Sequence, residues 1–93
     1  MIKTFADKET RKFYETGKSK KISLDIQAKA LRKLDQIDAS STVEALELPP
    51  SNRLHKLRGN REGQYSISLN MQWRICFRFE DGNALDVEIC DYH

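Results

Sequence analysis

The sequence predicts an α+β fold, a small antiparallel sheet packed on two N-terminal helices. Two patterns carry the prediction. From Tyr65 to Cys90 apolar and polar side chains alternate with period two, as half-buried strands require, because successive side chains point to opposite faces. From Lys8 to Asp38 the apolar residues recur at steps of three and four, which places them on one face of a helix. No repeat, low-complexity stretch or linker interrupts the 93 residues, so one domain, 1–93, is expected.

Taken in order, Met1–Phe5 reads as a short first strand. Asp7 is placed to cap a helix over Lys8 to Thr16, anchored by Phe13 and Tyr14 and closed by Gly17. Lys18 to Lys21 form a basic connector. Ser23 opens a helix over 24–38 whose apolar stripe is Leu24, Ala28, Leu31, Leu34 and Ile37, with Gln27, Lys29, Lys33 and Gln36 facing solvent. Ser41 and Glu44 have the spacing of a capping box, which predicts a helical turn over 42–47 ended by Pro49 and Pro50. Leu54 and Leu57 bracket His55 and Lys56, and Gly59 to Gly63 is loop. Tyr65, Ile67 and Leu69 then alternate with Ser66 and Ser68. In the next strand Trp73, Ile75, Phe77 and Phe79 form one face, and Arg74, Cys76 and Arg78 the other. Asp81-Gly82 supplies turn chemistry, and Ala84 to Cys90 returns with Leu85, Val87 and Ile89 inward. These three strands make a C-terminal meander, completed by the N-terminal strand and covered on its apolar face by the helices.

Composition bounds the function. A chain with 39% hydrophobic and 32% charged residues reads as an ordinary globular protein. No apolar run is long enough to span a bilayer, and no signal-peptide core follows Met1, so a cytoplasmic protein with no membrane partner is expected. Cys76 and Cys90 lack metal or CxxC spacing and read as reduced, buried thiols. The net charge of +2 conceals four blocks: +6 over 1–33, −4 over 34–50, +5 over 51–79 and −5 over 80–93. Such basic blocks attract polyanions.

The chemistry gathers in the second half of the chain. Arg53, Lys56, Arg58 and Arg61 lie within nine residues of one another, ahead of a strand that offers Arg74 and Arg78. A guanidinium grips phosphate through two donors, although most basic loops are simply solvated surface. His55 and His93 are the only histidines, and each alone reads as an ordinary surface residue. With Asp91, Tyr92 and the arginines they suggest RNA cleavage by its own 2′-hydroxyl. That reaction needs a base, cations for the pentavalent phosphorane, and an acid for the leaving 5′-oxygen. No metal-ligand spacing, glycine-rich phosphate loop or serine triad accompanies them. Trp73 shares the apolar face and reads as core, whereas Tyr92 lies among polar groups and is placed to stack on a base.

Three stretches resemble a known family: Asn52 to Ile67, reading NRLHKLRGNREGQYSI; Asn70 to Phe77, reading NMQWRICF; and the terminal Asp91-Tyr92-His93. Together they are similar to the HigB toxins of type II toxin–antitoxin modules, within the RelE/ParE superfamily, over essentially the whole chain. The resemblance implies a RelE-like fold and a ribosome-dependent endoribonuclease that cuts mRNA codons in the A site, with no cofactor and no metal. It implies neutralisation by a HigA-type helix-turn-helix antitoxin, through which the pair contacts operator DNA. Carried over by position, His55, Arg58, Arg74, Asp91, Tyr92 and His93 fall on the family's active-site positions. Arg53, Lys56, Arg61 and Arg78 are expected to bind RNA. Arg58 stands where related toxins often have lysine, which moves proton transfer toward the histidines and Asp91. The rival readings are a ParE-like gyrase inhibitor, a non-catalytic ribosome- or RNA-binding module, and a small subunit that only complexes its antitoxin.

Overall fold

The computed structural model describes residues 1–91. Its first helix, α1, spans Lys8–Thr16. The Asp7 carboxylate accepts from the Thr10 backbone N–H at 2.6 Å and from the Thr10 hydroxyl at 3.2 Å, satisfying donors that no helical carbonyl reaches. Gly17 ends the helix at φ 76°, its N–H bonded to the Phe13 carbonyl at 2.7 Å. Both ends fall where the sequence puts them.

The second helix, α2, spans Leu24–Ala39. Its buried stripe is Ile26, Ala30, Leu34 and Ile37, so the expected stripe holds at Leu34 and Ile37 and fails in the first half of the helix. Leu24 is 82% exposed, Ala28 is exposed and Leu31 is half-buried. Both phases satisfy steps of three and four, and packing selected the one that lays Ile26 and Ala30 on the sheet. Ser23 precedes the helix but makes no side-chain cap bond; its hydroxyl bonds the Asp25 carboxylate instead. The polar side is also less idle than expected. Lys29 Nζ donates to the Leu69 carbonyl at 3.1 Å, and Gln36 Nε2 to the Leu48 carbonyl at 2.6 Å.

Residues Val43–Glu47 form a 3-10 turn without the expected capping box. Its register is held by Leu46, fully buried, and by Asn52, whose buried Nδ2 donates to the Leu46 and Leu48 carbonyls at 3.1 and 3.2 Å. A second short 3-10 turn over Pro50–Asn52 delivers the chain to the sheet.

The sheet has four antiparallel strands in sequence order: β1 His55–Lys56, β2 Tyr65–Ser68, β3 Trp73–Glu80 and β4 Asn83–Asp91. The meander is as expected; the fourth strand is not Met1–Phe5 but the two residues His55 and Lys56. Residues 1–6 instead run parallel to β4, touching it at the bridges Ile2–Ala84 and Phe5–Val87. A regular ladder fails there because Asp86, at φ 52°, adds a residue to β4 between the matched pairs Arg78–Leu85 and Cys76–Glu88. That bulge corrects one more expectation. Leu85 pairs with Arg78 on the polar face, whereas Ile89 pairs with Ile75 on the apolar face.

Phe13, Ile26, Leu34, Ile67, Ile75, Phe77 and Val87 belong to one core between the helices and the apolar face of the sheet. Trp73 is half-buried against it. No helix among the described residues is long and apolar enough to cross a membrane.

Candidate active site

The strand register assembles the site on the other face of the sheet. Opposed pairs across the strands place His55, Ser66, Cys76 and Glu88 in one row and Ser68, Arg74 and Cys90 in the next. This face follows from the alternation that buries Ile67 and Ile75 and packs Ile89 against the core on the first. The segment 57–64 folds over it, and two of its row residues, Ser66 and Cys76, are buried.

A cleft of about 370 Å³ opens between that segment and the strands. It is lined by His55, Lys56, Arg58, Arg61, Arg74 and Asp91, together with Cys76 and Cys90. Residues far apart in sequence, 55–61 and 74–91, are thus brought to one concavity. A broader cleft of about 790 Å³ shares His55, Lys56, Leu57 and Arg58 and continues past Gly59 and Gly63 to Tyr65.

Each side chain has identifiable supports. Arg74 Nη1 donates to Ser66 Oγ at 3.1 Å, which fixes the guanidinium on the floor strands. His55 Nδ1 lies 3.0 Å from the Arg53 carbonyl oxygen. A carbonyl only accepts, so Nδ1 carries a proton, and the tautomer this bond selects has its lone pair at Nε2. Arg61 is braced from both sides, donating to Glu88 Oε1 at 2.9 Å and to Gln64 Oε1 at 3.1 Å. The Glu88 hydrogen bond is the main reason its guanidinium is held above the ordinary arginine value. The Cys90 thiol donates to the same Glu88 oxygen at 2.9 Å. The neighbouring Cys90 holds the Cys76 thiol below its ordinary value, whereas Cys76, burial and Glu88 push the Cys90 thiol up.

Two residues expected at the RNA stand outside the cleft. Arg53, exposed and at φ 49°, contributes its carbonyl to His55. Arg78 is 3.6 Å from the Glu80 carboxylate and lies along Gly63. Tyr92 and His93 fall outside the described residues. Sequence reasoning missed Ser66 and Glu88, the supports of Arg74 and Arg61. Period two alone marks Ser66 as sharing a face with Ser68, and Glu88 as sharing one with Cys90. Among the described residues no three His, Cys, Asp or Glu side chains form a metal-binding group.

The chain matches, over residues 3–93, the family model described as the RelE-like toxin of the type II toxin–antitoxin system HigB. It is 39% identical over 87 residues to Toxin HigB-1 of Vibrio cholerae serotype O1, covering 92% of each chain. It is 32% identical to Endoribonuclease HigB of Proteus vulgaris over the full length of both. Its fold is that of YafQ from E. coli, with TM-score 0.58 at 12% identity over 98% of this chain and 93% of the other. It is equally that of the YoeB–YefM complex from Staphylococcus aureus, with TM-score 0.58 at 15% identity over 100% and 98%. A toxin of a toxin–antitoxin module has an antitoxin as its partner. On the strength of a match along nearly its whole length, this chain belongs to the RelE-like HigB family of type II toxins.

Proposed function

We propose that this toxin is a ribosome-dependent mRNA endonuclease that enters the A site and cuts the codon there through the RNA's own 2′-hydroxyl. The observation that carries the reading is the convergence of His55, Arg58, Arg74 and Asp91 on one cleft, with Arg74 positioned by Ser66. His55, with Nε2 as its proton-accepting nitrogen, takes the 2′-hydroxyl proton. The freed 2′-oxygen attacks phosphorus, and Arg74 and Arg58 carry the charge that grows on the phosphorane oxygens. His93 protonates the departing 5′-oxygen, leaving a 2′,3′-cyclic phosphate and a 5′-hydroxyl. Arg58 cannot share that task, because guanidinium does not release its proton at neutral pH. Asp91 orients an imidazole, and Tyr92 stacks on the nucleotide. Lys56 adds positive charge along the cleft, Arg61 meets the RNA as one half of its ion pair with Glu88, and Arg53 and Arg78 lie at the periphery. A HigA-type helix-turn-helix antitoxin neutralises the toxin, and the pair represses its own operon through the antitoxin's contacts with operator DNA.

Arg74→Ala should lower ribosome-primed cleavage by about 100- to 1,000-fold, the scale of losing one preorganised charge donor. Arg78→Ala should fall only a few-fold. Mapping transcript 5′ ends after brief induction measures both. Equal losses mean the phosphate is misplaced, and gyrase-dependent DNA breaks without RNA cleavage overturn the reading. His93→Gln should abolish growth arrest while leaving the fold intact.

A further inference from the structure

We propose that the groove beside Trp73 is a nucleobase subsite, which stacks a base of the RNA strand where it leaves the cleft past Asp91. The inference rests on the nuclease reading above and adds to it the seat of a neighbouring nucleotide. The groove, of about 620 Å³, opens where the start of α1, the α1–α2 connector and the paired ends of β3 and β4 meet. Its lining includes Lys8, Lys21, Ile22, Trp73, Ile89 and Asp91. That volume falls within the range of about 300–1,000 Å³ usual for small-ligand sites. Asp91 also lines the smaller cleft that holds Arg58 and Arg74, so the two concavities meet at this residue. Trp73 is its partner across the strands, and Trp73 and Arg74 are consecutive. RNA with a phosphate at Arg74 therefore turns past Asp91 and meets Trp73 next.

The chemistry of the groove suits a base. Ile75 and Phe77, further along the same face of β3, are fully buried, whereas Trp73 is only half-buried. The open part of its indole joins Ile22 and Ile89 as an apolar wall, on which any base can stack because every base has a π-face. Charge at the rim favours RNA as well. The Asp7 carboxylate is taken up by the Thr10 N–H and hydroxyl, and Glu9 accepts from the Ser19 hydroxyl at 2.7 Å. Lys8 and Lys21 are exposed, and the described ion pairs, Arg11–Glu15, Arg61–Glu88 and Arg78–Glu80, use neither. Their ammonium groups are left for the phosphate that follows the stacked base. The walls are also fixed in advance. Asn70 Oδ1 accepts from the Trp73 N–H at 2.7 Å, and Thr10 Oγ1 accepts from the Ile89 N–H at 3.2 Å, tying α1 to β4. A preformed wall lowers the ordering cost of binding.

Trp73 is the only tryptophan of the chain, so its emission reports on the groove directly. The test titrates the purified full-length toxin at low salt with short single-stranded 2′-O-methyl RNA, which lacks the attacking hydroxyl. Anisotropy of an end-labelled copy measures binding in parallel. Saturable quenching of Trp73 is expected. Trp73→Leu, verified as folded by circular dichroism, should bind about 5- to 150-fold more weakly, the range for losing one stacked base. Trp73→Phe keeps a ring and should stay within a few-fold of wild type. Lys21→Ala, an exposed change outside the core, should weaken binding a few-fold and make it less sensitive to salt. On programmed ribosomes, an abasic residue beside the cleaved bond should slow the wild type but leave Trp73→Leu no slower than it already is. RNA that does not bind, or that binds with Trp73 emission unchanged, overturns the subsite; the second result is the one expected if the groove seats a partner protein instead. A leucine variant with wild-type affinity overturns it too. Quenching in a toxin that cuts no RNA on ribosomes supports the subsite and overturns the nuclease reading.

Discussion

Single side chains tie the helical layer to the site. Asn52, fully buried, bonds the carbonyls of Leu46 and Leu48 three residues before His55. Asn52→Ala takes this donor from the buried Leu46 carbonyl, while Leu48 keeps its bond from Gln36, and should cost about 1–3 kcal/mol in urea unfolding. Cleavage should weaken as well, because β1 loses its anchor. Tyr14 offers a pH-dependent test. Burial and then the hydrogen bond to Asp35, at 3.1 Å, raise its hydroxyl from 10.0 to about 12. The folded protein thus holds this proton more tightly than the unfolded chain. The stability it contributes is complete below pH 10.0 and is lost as pH rises toward about 12. Tyr14→Phe should cost about 0.5–1 kcal/mol at neutral pH. It should also flatten the decline of stability over that alkaline interval, as read by urea unfolding of both proteins across it.

At the scale of elements, legibility followed how strongly local chemistry committed the backbone. The α1 boundaries were readable because Asp7 and Gly17 each do something few residues can. The meander was readable because alternation persists through β2 and β3. The phase of α2 was readable only in its second half, at Leu34 and Ile37, since nearer its start two stripes shared the period and packing chose between them. β1, at two residues, is too short for any period to show. The bulge was the costliest omission. An inserted residue leaves no mark on an alternating pattern, yet it reverses every side chain beyond it. Asp86 holds that inversion at φ 52°, and Glu88 and Cys90 reach the cleft face through it. Asp86→Gly should therefore be tolerated, whereas Asp86→Val forces a β-branched residue into the left-handed region at about 1–2 kcal/mol. Denaturant midpoints of the two variants compare them directly, and a valine variant as stable as wild type would mean that the bulge can move elsewhere.

Across the whole molecule, the charge blocks acquire a different meaning once the strands are paired. The basic 51–79 segment and the described part of the acidic block, 80–91, lie side by side, and Arg61–Glu88 and Arg78–Glu80 are neutralised internally. Part of what reads in sequence as surface for partners is thus spent on shaping the cleft. The remaining architecture divides by face, with the core on one side of the sheet and the chemistry on the other, and this division can be tested. Phe77 is fully buried, stacked with Tyr65 at 6.1 Å and set edge-on to Phe79 at 6.5 Å. Phe77→Ala should cost about 3–5 kcal/mol from a total of about 5–15 kcal/mol. Arg74 lies on the opposite face, half-buried and bonded to Ser66, and Arg74→Ala should cost about 1 kcal/mol. Unfolding and cleavage measured on the same preparations should then separate the two. The Phe77 variant loses activity only in proportion to its unfolded fraction, while the Arg74 variant stays folded and loses nearly all of it. If the Phe77 variant remained folded but inactive, packing and chemistry would be coupled through the sheet, because adjacent residues of β3 serve opposite faces.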